Sequence, residues 1–217
     1  MSTAARRDLP RLVAITDLTR LPAHLLLTRL QRLARGAQPA SVALLLRDHA
    51  ANAKERLALG LQLREIARDA QQELWVADRL DLALLLEADA VHLGEGSVGA
   101  AVARRLLGSS ARVSRAWHAP SIAGVTAAEE LAEVDALLVS PLLAPRKGRP
   151  PLGLATLGVL GEQLRARNWA CQMYALGGVA AENAGACRLA GAHGVAAIGA
   201  TLDDDAQALL AALDIAR

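Results

Sequence analysis

The stretch QMYALGGVAAENAGACRLAGAHGVAAIGAT, residues 172–201, contains the structural unit that the rest of the chain repeats. An apolar run stops at Gly177-Gly178, a helix-like segment continues to Leu189, and a second apolar run stops at Gly199-Ala200. Short apolar runs joined by a helix are typical of parallel strands with a crossover helix. Both strands end in small residues, which suggests either tight turns or a ligand that approaches the main chain.

Short apolar runs of this kind recur along the chain. They occupy residues 12–16, 42–48, 74–78, 90–94, 113–118, 136–141, 172–178 and 194–200. Segments with helical periodicity separate them, such as residues 53–70, in which Leu and Ile recur at spacings of three and four. Eight such units close most naturally into a (β/α)8 TIM barrel of the α/β class, so we predict a single domain over residues 1–217. The alternative is an open, doubly wound sheet.

The composition excludes several classes of partner. Hydrophobic residues make up 53% of the 217 residues, the net charge is +2, and the basic residues form no stripe of the kind that binds nucleic acid. No apolar run approaches the roughly 20 residues of a membrane span, and the first ten residues lack the apolar core of a signal peptide. We therefore expect a cytoplasmic protein with a small-molecule ligand. The apolar helix surfaces would allow a homodimer.

In a (β/α)8 barrel the active site lies at the carboxyl ends of the strands, on the loops that lead into the helices. The residues at these positions are therefore the candidate site residues. Those after strands two to six are Arg47 and His49, Asp78, Gly94 and Glu95, His118, and the basic pair Arg146 and Lys147 in loop 142–154. We expect their side chains to converge on one mouth of the barrel.

The glycines after strands seven and eight indicate a phosphate site. Loops at this place in such barrels often hold a phosphate, and glycine lets backbone N–H groups approach an anion without a Cβ in the way. The predicted main-chain donors are Gly177, Gly178, Ile198 and Gly199. The alternative is that these residues merely make short turns.

The polar candidates suit proton chemistry or anion binding. Histidine is the side chain that most readily exchanges a proton near neutral pH, so His118 is the candidate proton carrier. Asp78 is suited to act as a base, hold a cation or orient a partner. The alternative to these functional roles is an ion pair with the neighbouring Arg79. His49 is a candidate site residue, and the alternative is a structural histidine that is hydrogen-bonded to a carbonyl group. Lys147 is a candidate to bind a phosphate or carboxylate group, and the alternative is that it lies in a solvated basic loop.

Three stretches carry a resemblance to a known family. They are VADRLDLALLLEADAVHLGEG (76–96), PPLGLATL (150–157) and YALGGVAAENAGACRLAGAHGVAAI (174–198). Their order and spacing resemble the thiamine phosphate synthase and thiazole tautomerase superfamily over nearly the whole chain. The resemblance implies a (β/α)8 barrel that binds thiazole phosphate or thiamine phosphate, with the phosphate at residues 177–178 and 198–199.

The chain departs from the synthase branch at positions that the resemblance marks as working residues. A synthase joins a pyrimidine pyrophosphate to a thiazole phosphate and uses magnesium. Where the synthase has glutamine and lysine after strand two, this chain has Leu45 and His49, and where it has asparagine before Asp78, this chain has Ala77. Ser97 stands where the synthase has a second magnesium aspartate. One aspartate holds magnesium poorly, and a departing pyrophosphate needs its charge neutralised.

These departures favour the tautomerase branch as the first hypothesis. By resemblance, His118 would carry the proton, while Asp78 and Arg47 would orient the ring or its carboxylate, and no metal or other cofactor would be needed. The alternative hypotheses are a divergent thiamine phosphate synthase, which would require magnesium, and a non-catalytic regulator that binds a phosphate ligand on the same fold.

Overall fold

The computed structural model describes residues 8–108, 111–122, 131–203 and 206–217. It contains eight strands: β1 Leu12–Ile15, β2 Val42–Leu46, β3 Glu73–Ala77, β4 Ala90–Leu93, β5 Arg112–Trp117, β6 Ala136–Val139, β7 Gln172–Leu176 and β8 Gly194–Ala197. The helices assigned within these ranges are α1 Ala23–Gly36, α2 Ala53–Asp69, α3 Leu80–Leu85, α4 Ala100–Leu107, α5 Ala155–Ala166, α6 Ala181–Leu189, α7 Gly199–Leu202 and α8 Ala206–Ala212. In the described ranges, none of the helices combines the length and hydrophobicity needed to cross a bilayer.

The strands form a closed parallel barrel. Each strand pairs with the next one along the chain, and β1 also pairs with β8, where Leu12 lies opposite Val195 and Ala14 opposite Ala197. Parallel strands joined by helices are buried on both faces, which explains their nearly continuous apolar sequences. The predicted (β/α)8 fold is confirmed, and pairing between the first and last strands excludes the open sheet.

The predicted strands were too long at their carboxyl ends. The run at 172–178 leaves the sheet after Leu176, because Gly177 and Gly178 have φ values of 103° and 75°. The run at 74–78 ends at Ala77, because Asp78 has a φ of 62°. A left-handed backbone cannot continue a strand, so these residues turn out of the sheet and carry their side chains or N–H groups into the loops.

Large side chains fill the amino-terminal half of the barrel interior. Trp75 on β3 and Tyr174 on β7 meet edge to face, with ring centroids 6.0 Å apart, although their strands are not neighbours. The Trp75 indole donates to Glu73 Oε2 at 2.9 Å, and Glu73 also pairs with Arg112 of β5. Burial raises the pKa of Glu73, because it outweighs the hydrogen bond from Trp75 and the charge of Arg112. This cluster fills the barrel interior on the side of the amino-terminal ends of the strands.

Candidate active site

A cavity of about 680 Å³ opens above this cluster, at the carboxyl ends of the strands. Seven of the nine predicted site residues line it: Arg47, His49, Asp78, His118, Lys147, Gly177 and Ile198. Gly178 and Gly199 are not among the lining residues. The volume is typical of a site for a small organic ligand.

Asp78 is held in place by the loop that follows β4. Its Oδ1 accepts hydrogen bonds from the Gly94 N–H at 2.8 Å and from the Ser97 hydroxyl. Burial alone would raise the pKa of Asp78, but the hydrogen bonds from Ser97 and Gly94 outweigh burial and lower it. Arg79 pairs with Asp81 at 2.7 Å, so the ion pair between Asp78 and Arg79 that the sequence allowed is not formed.

His49 and Arg47 bring positive charge to the same side of the cavity. His49 Nδ1 lies 3.9 Å from Asp78 Oδ2. Burial, followed by the charge of Arg47, lowers the pKa of His49. Burial and the neighbouring charge of Arg146 lower the pKa of Arg47 in the same way. Cations that disfavour one another's charge are favourable partners for an anion, because a bound anion relieves their repulsion.

His118 has one ring nitrogen committed to the protein. Its Nδ1 lies 2.5 Å from the backbone carbonyl oxygen of Ser140 and 3.2 Å from the Ser140 hydroxyl. A carbonyl oxygen only accepts, so the geometry assigns the proton to Nδ1 in the neutral ring and leaves the lone pair on Nε2. A fixed tautomer of this kind suits a base that removes a proton at Nε2.

His92 also lines the cavity. Its Nδ1 lies 3.0 Å from the hydroxyl of Ser114, and the side chain is buried beneath the cavity. Burial lowers the pKa of His92 to about 4. The ring is therefore neutral at physiological pH and contributes a polar but uncharged surface.

The loop after β6 delivers a basic hairpin to the mouth of the cavity. Leu142 N–H donates to Leu176 O at 2.8 Å and Leu143 N–H to Gly177 O at 2.9 Å, which joins the base of the loop to the end of β7. At its tip, Arg146 and Arg149 exchange backbone hydrogen bonds of 3.1 and 3.0 Å. The two residues between them, Lys147 and Gly148, have φ values of 50° and 74°. Positive φ at both central residues is the requirement of a two-residue type I′ hairpin.

The glycines after β7 have a packing role, and their phosphate-binding role stays a prediction. A Cβ on Gly177 would lie 3.2 Å from Leu142 N and Pro141 Cα, and a Cβ on Gly178 would lie 2.7 Å from Ala144 Cβ. The β6 loop thus packs directly on this turn. After β8, a Cβ on Gly199 would lie 3.4 Å from the guanidinium of Arg20, in the loop after β1.

Comparison with known proteins identifies the family. The sequence model of the family described as thiamine monophosphate synthase matches residues 12–201. The chain belongs to this family. A thiamine-phosphate synthase from Natronomonas pharaonis is 39% identical over 163 residues, which are 74% of this chain and 74% of that protein. A thiamine-phosphate synthase from Moorella thermoacetica is 37% identical over 177 residues, or 78% of this chain and 79% of that protein.

A solved structure of similar architecture supports the fold. Thiamine phosphate pyrophosphorylase from Pyrococcus furiosus superposes with a TM-score of 0.72 and covers 94% of this chain and 95% of its own, at 24% identity. At this identity the likeness shows the fold alone. The curated relatives described above are all thiamine-phosphate synthases, so they favour the synthase alternative of the sequence analysis and give the tautomerase branch no specific support.

The residues around Asp78 do not assemble the magnesium site that the synthase branch of the family implies. Magnesium prefers near-octahedral oxygen ligands, usually carboxylates together with substrate phosphates. Here Asp78 Oδ1 already accepts two hydrogen bonds, one of them from Ser97, and His49 faces Oδ2. Within the described ranges, no three His, Cys, Asp or Glu side chains lie in an arrangement that could hold a metal ion. The groups around Asp78 therefore do not fit a bound magnesium ion.

Ser97→Asp tests this interpretation by restoring a second carboxylate beside Asp78. We expect saturating magnesium to raise the melting temperature of the variant by about 3 °C, because a ligand that binds only the folded state stabilises it. Without magnesium the variant is less stable than the wild type, since the two carboxylates repel each other. Thermal unfolding with and without magnesium measures both effects, and Ser97→Asn is the uncharged control. An equal rise in the wild type would contradict the assignment.

The sequence analysis missed one residue of the cavity rim. Arg149 was not singled out, and Glu95 was named as a residue at the mouth without a partner or a role. Both line the cavity, and they form an ion pair with Arg149 Nη2 2.7 Å from Glu95 Oε2. The sequence signal was present in the segment RKGR, where glycine permits a two-residue turn that brings both flanking arginines together.

Proposed function

We propose that this protein catalyses a synthase-type transfer, in which a thiazole phosphate displaces pyrophosphate from a pyrimidine-bearing carbon. A carbon–nitrogen bond forms, a carbon–oxygen bond breaks, and pyrophosphate leaves with the electron pair. The observation that carries the proposal is the distribution of groups in one cavity: cations from β2 and the β6 loop converge on it, and it extends to the ends of β7 and β8. Two phosphorylated substrates require two anion-binding regions.

The cationic region suits the departing pyrophosphate. Arg47, Arg146 and Lys147 all line the cavity, and burial, followed by the charge of Arg146, lowers the pKa of Arg47. Preorganised positive charge placed where negative charge develops stabilises a transition state without reorganisation. In this proposal side chains supply the neutralising charge that the family's usual carboxylate–magnesium arrangement would provide, which accounts for the loss of the second aspartate at Ser97.

The ends of β7 and β8 suit the thiazole phosphate. Gly177 and Ile198 line the cavity there. Gly178 and Gly199 would be main-chain neighbours of the phosphate, and their lack of side chains allows the loops after β1 and β6 to pack close by. A ring held by its phosphate at this end lies in the same cavity as the cationic residues.

The proposal is tested by incubating the purified protein with the pyrimidine pyrophosphate and the thiazole phosphate. Thiamine phosphate, detected by mass spectrometry, is the expected product, together with one equivalent of pyrophosphate. The assay is run with magnesium and with a chelator, and we expect product under both conditions. Binding of the thiazole phosphate without product under either condition would refute the transfer and favour the non-catalytic regulator.

A second candidate function, the tautomerase, is favoured by the geometry of His118. Its Nδ1 is committed to Ser140, which leaves one defined basic nitrogen for shuttling a proton within a carboxylated thiazole phosphate ring. The synthase reaction forms its bond at a ring nitrogen that carries no proton, so it needs no such carrier. The two functions therefore differ in their dependence on this one side chain.

His118→Ala distinguishes the two candidates. If the protein is a tautomerase, we expect turnover of the carboxylated thiazole phosphate to fall about 1000-fold, since general acid–base catalysis typically contributes 10²–10⁴-fold. If it is a synthase, formation of thiamine phosphate should fall about tenfold or less, because His118 then contributes only to the shape and polarity of the cavity. Both rates are measured for the variant and for His24→Ala, a control at an exposed position of α1.

A further inference from the structure

The ion pair between Glu95 and Arg149 spans the mouth of the cavity. Glu95 lies two residues after the end of β4, whereas Arg149 ends the hairpin in the loop after β6, and the two are 54 residues apart in the chain. Arg149 Nη2 lies 2.7 Å from Glu95 Oε2, and both residues line the cavity. The pair therefore connects the loop after β4 to the loop after β6 at the cavity.

The hairpin places Arg149 beside the other cations of the site. Its backbone bonds with Arg146 fix both arginines at the two ends of a two-residue turn. Arg146, Lys147 and Arg149 all line the cavity, so the hairpin offers three cations within four residues. Among the ion pairs in the described part of the chain, Glu95 supplies the carboxylate that engages this hairpin.

The pair is exposed enough to be exchanged for a stronger interaction. The side chain of Arg149 is 42% exposed and that of Glu95 is 65% exposed. Ion pairs so open to solvent contribute little stability, because water screens them and two flexible side chains must be ordered. A guanidinium binds two phosphate oxygens through parallel charge-assisted hydrogen bonds, which are stronger and geometrically matched.

We propose that Arg149 is an anion-binding residue of the cavity, which Glu95 holds at the rim until a diphosphate enters and takes its place. The guanidinium then moves from the carboxylate to the diphosphate, and Glu95 turns to solvent. The choice of a diphosphate rests on the proposed function, because a ligand with two phosphoryl groups reaches both Arg47 and the hairpin. Glu95 thereby lowers the affinity of the cavity for weakly charged ligands, because they cannot displace its carboxylate from Arg149.

The test is a double-mutant cycle read by calorimetric binding of inorganic pyrophosphate in the absence of divalent metal. Arg149→Gln is expected to weaken binding about tenfold, since it removes a charge-assisted contact. Glu95→Gln is expected to tighten binding about threefold, because the competing carboxylate is gone. The double variant should bind as weakly as Arg149→Gln alone. Glu87→Gln is the matched control, as Glu87 forms an exposed pair with Arg68 at 2.5 Å on other elements.

Two outcomes would overturn the proposal. If Glu95→Gln tightens pyrophosphate binding equally with and without Arg149, the carboxylate only repels the anion and does not compete with it for Arg149. If Arg149→Gln lowers the melting temperature while pyrophosphate affinity stays at the wild-type value, the pair only joins two loops. The proposed function is tested separately by the product assay. If thiamine phosphate forms but the cycle shows no coupling between Glu95 and Arg149, the synthase proposal holds and the exchange of Arg149 between Glu95 and the diphosphate is wrong. If the cycle shows coupling but no product forms, Arg149 binds the anion and the synthase proposal is wrong.

Discussion

Arg47→Gln is expected to lower the rate of thiamine phosphate formation by about 100-fold or more, because it removes a preorganised positive charge from the region assigned to the leaving pyrophosphate. The effect should fall mainly on kcat, since the negative charge on the leaving group grows as the carbon–oxygen bond breaks. Affinity for inorganic pyrophosphate should fall as well. Arg47 and Arg146 both line the cavity and are close enough to influence each other's charge, so the loss of Arg47 weakens the positive charge that the cavity presents to the anion.

Steady-state kinetics and pyrophosphate binding of the Arg47 variant measure these effects. The control is Arg105→Gln, at an exposed position in the last turn of α4, which removes the same charge from the whole protein but not from the cavity. A melting temperature near that of the wild type verifies that the variant folds. Turnover within about threefold of the wild type would show that the transition state does not depend on this charge.

Trp75→Ala is expected to lower the free energy of unfolding by about 3–5 kcal/mol, the usual range when a buried tryptophan is truncated. Trp75 is fully buried and meets Tyr174 across the barrel. Its loss also removes the indole N–H that donates to the buried carboxylate of Glu73.

Urea unfolding of two further variants separates these contributions. Trp75→Phe keeps a ring in the barrel but removes the N–H, and it should cost about 1–2 kcal/mol. Trp169→Ala is the control for a tryptophan that is only partly buried, beside Arg167, and it should cost about 1 kcal/mol. Equal decreases in the free energy of unfolding for Trp75→Ala and Trp169→Ala would show that the cluster around Trp75 does not stabilise the barrel interior.

The architecture followed from local patterns in the sequence. Apolar runs of five to seven residues, separated by helical periodicity, predicted all eight strands and their order, and closure was the arrangement that buried every strand on both faces. The carboxyl ends of the strands did not follow from these patterns. Asp78 reads as the last residue of a strand, yet its positive φ turns it into the loop, because its carboxylate is bound by Gly94 and Ser97.

The candidate site was predictable to the extent that position along a strand determines it. Arg47, His118 and Gly177 line the cavity because residues at the carboxyl ends of parallel strands meet at one end of the barrel. The partner of each side chain was not predictable in this way. Asp78 binds Ser97 and not its neighbour Arg79, and Glu95 pairs with Arg149 from a distant loop.

The sequence by itself thus determined the barrel, the end at which its polar residues gather, and the family to which the chain belongs. The tertiary structure decided which charges remain available to a ligand: Asp78 is occupied by hydrogen-bond donors, His118 is fixed through Nδ1, and Arg149 is paired across the mouth. The physical reason is the range of the interactions. Hydrophobic periodicity is read from neighbouring residues, whereas a hydrogen bond or ion pair depends on where loops from different strands place their atoms to within a fraction of an ångström.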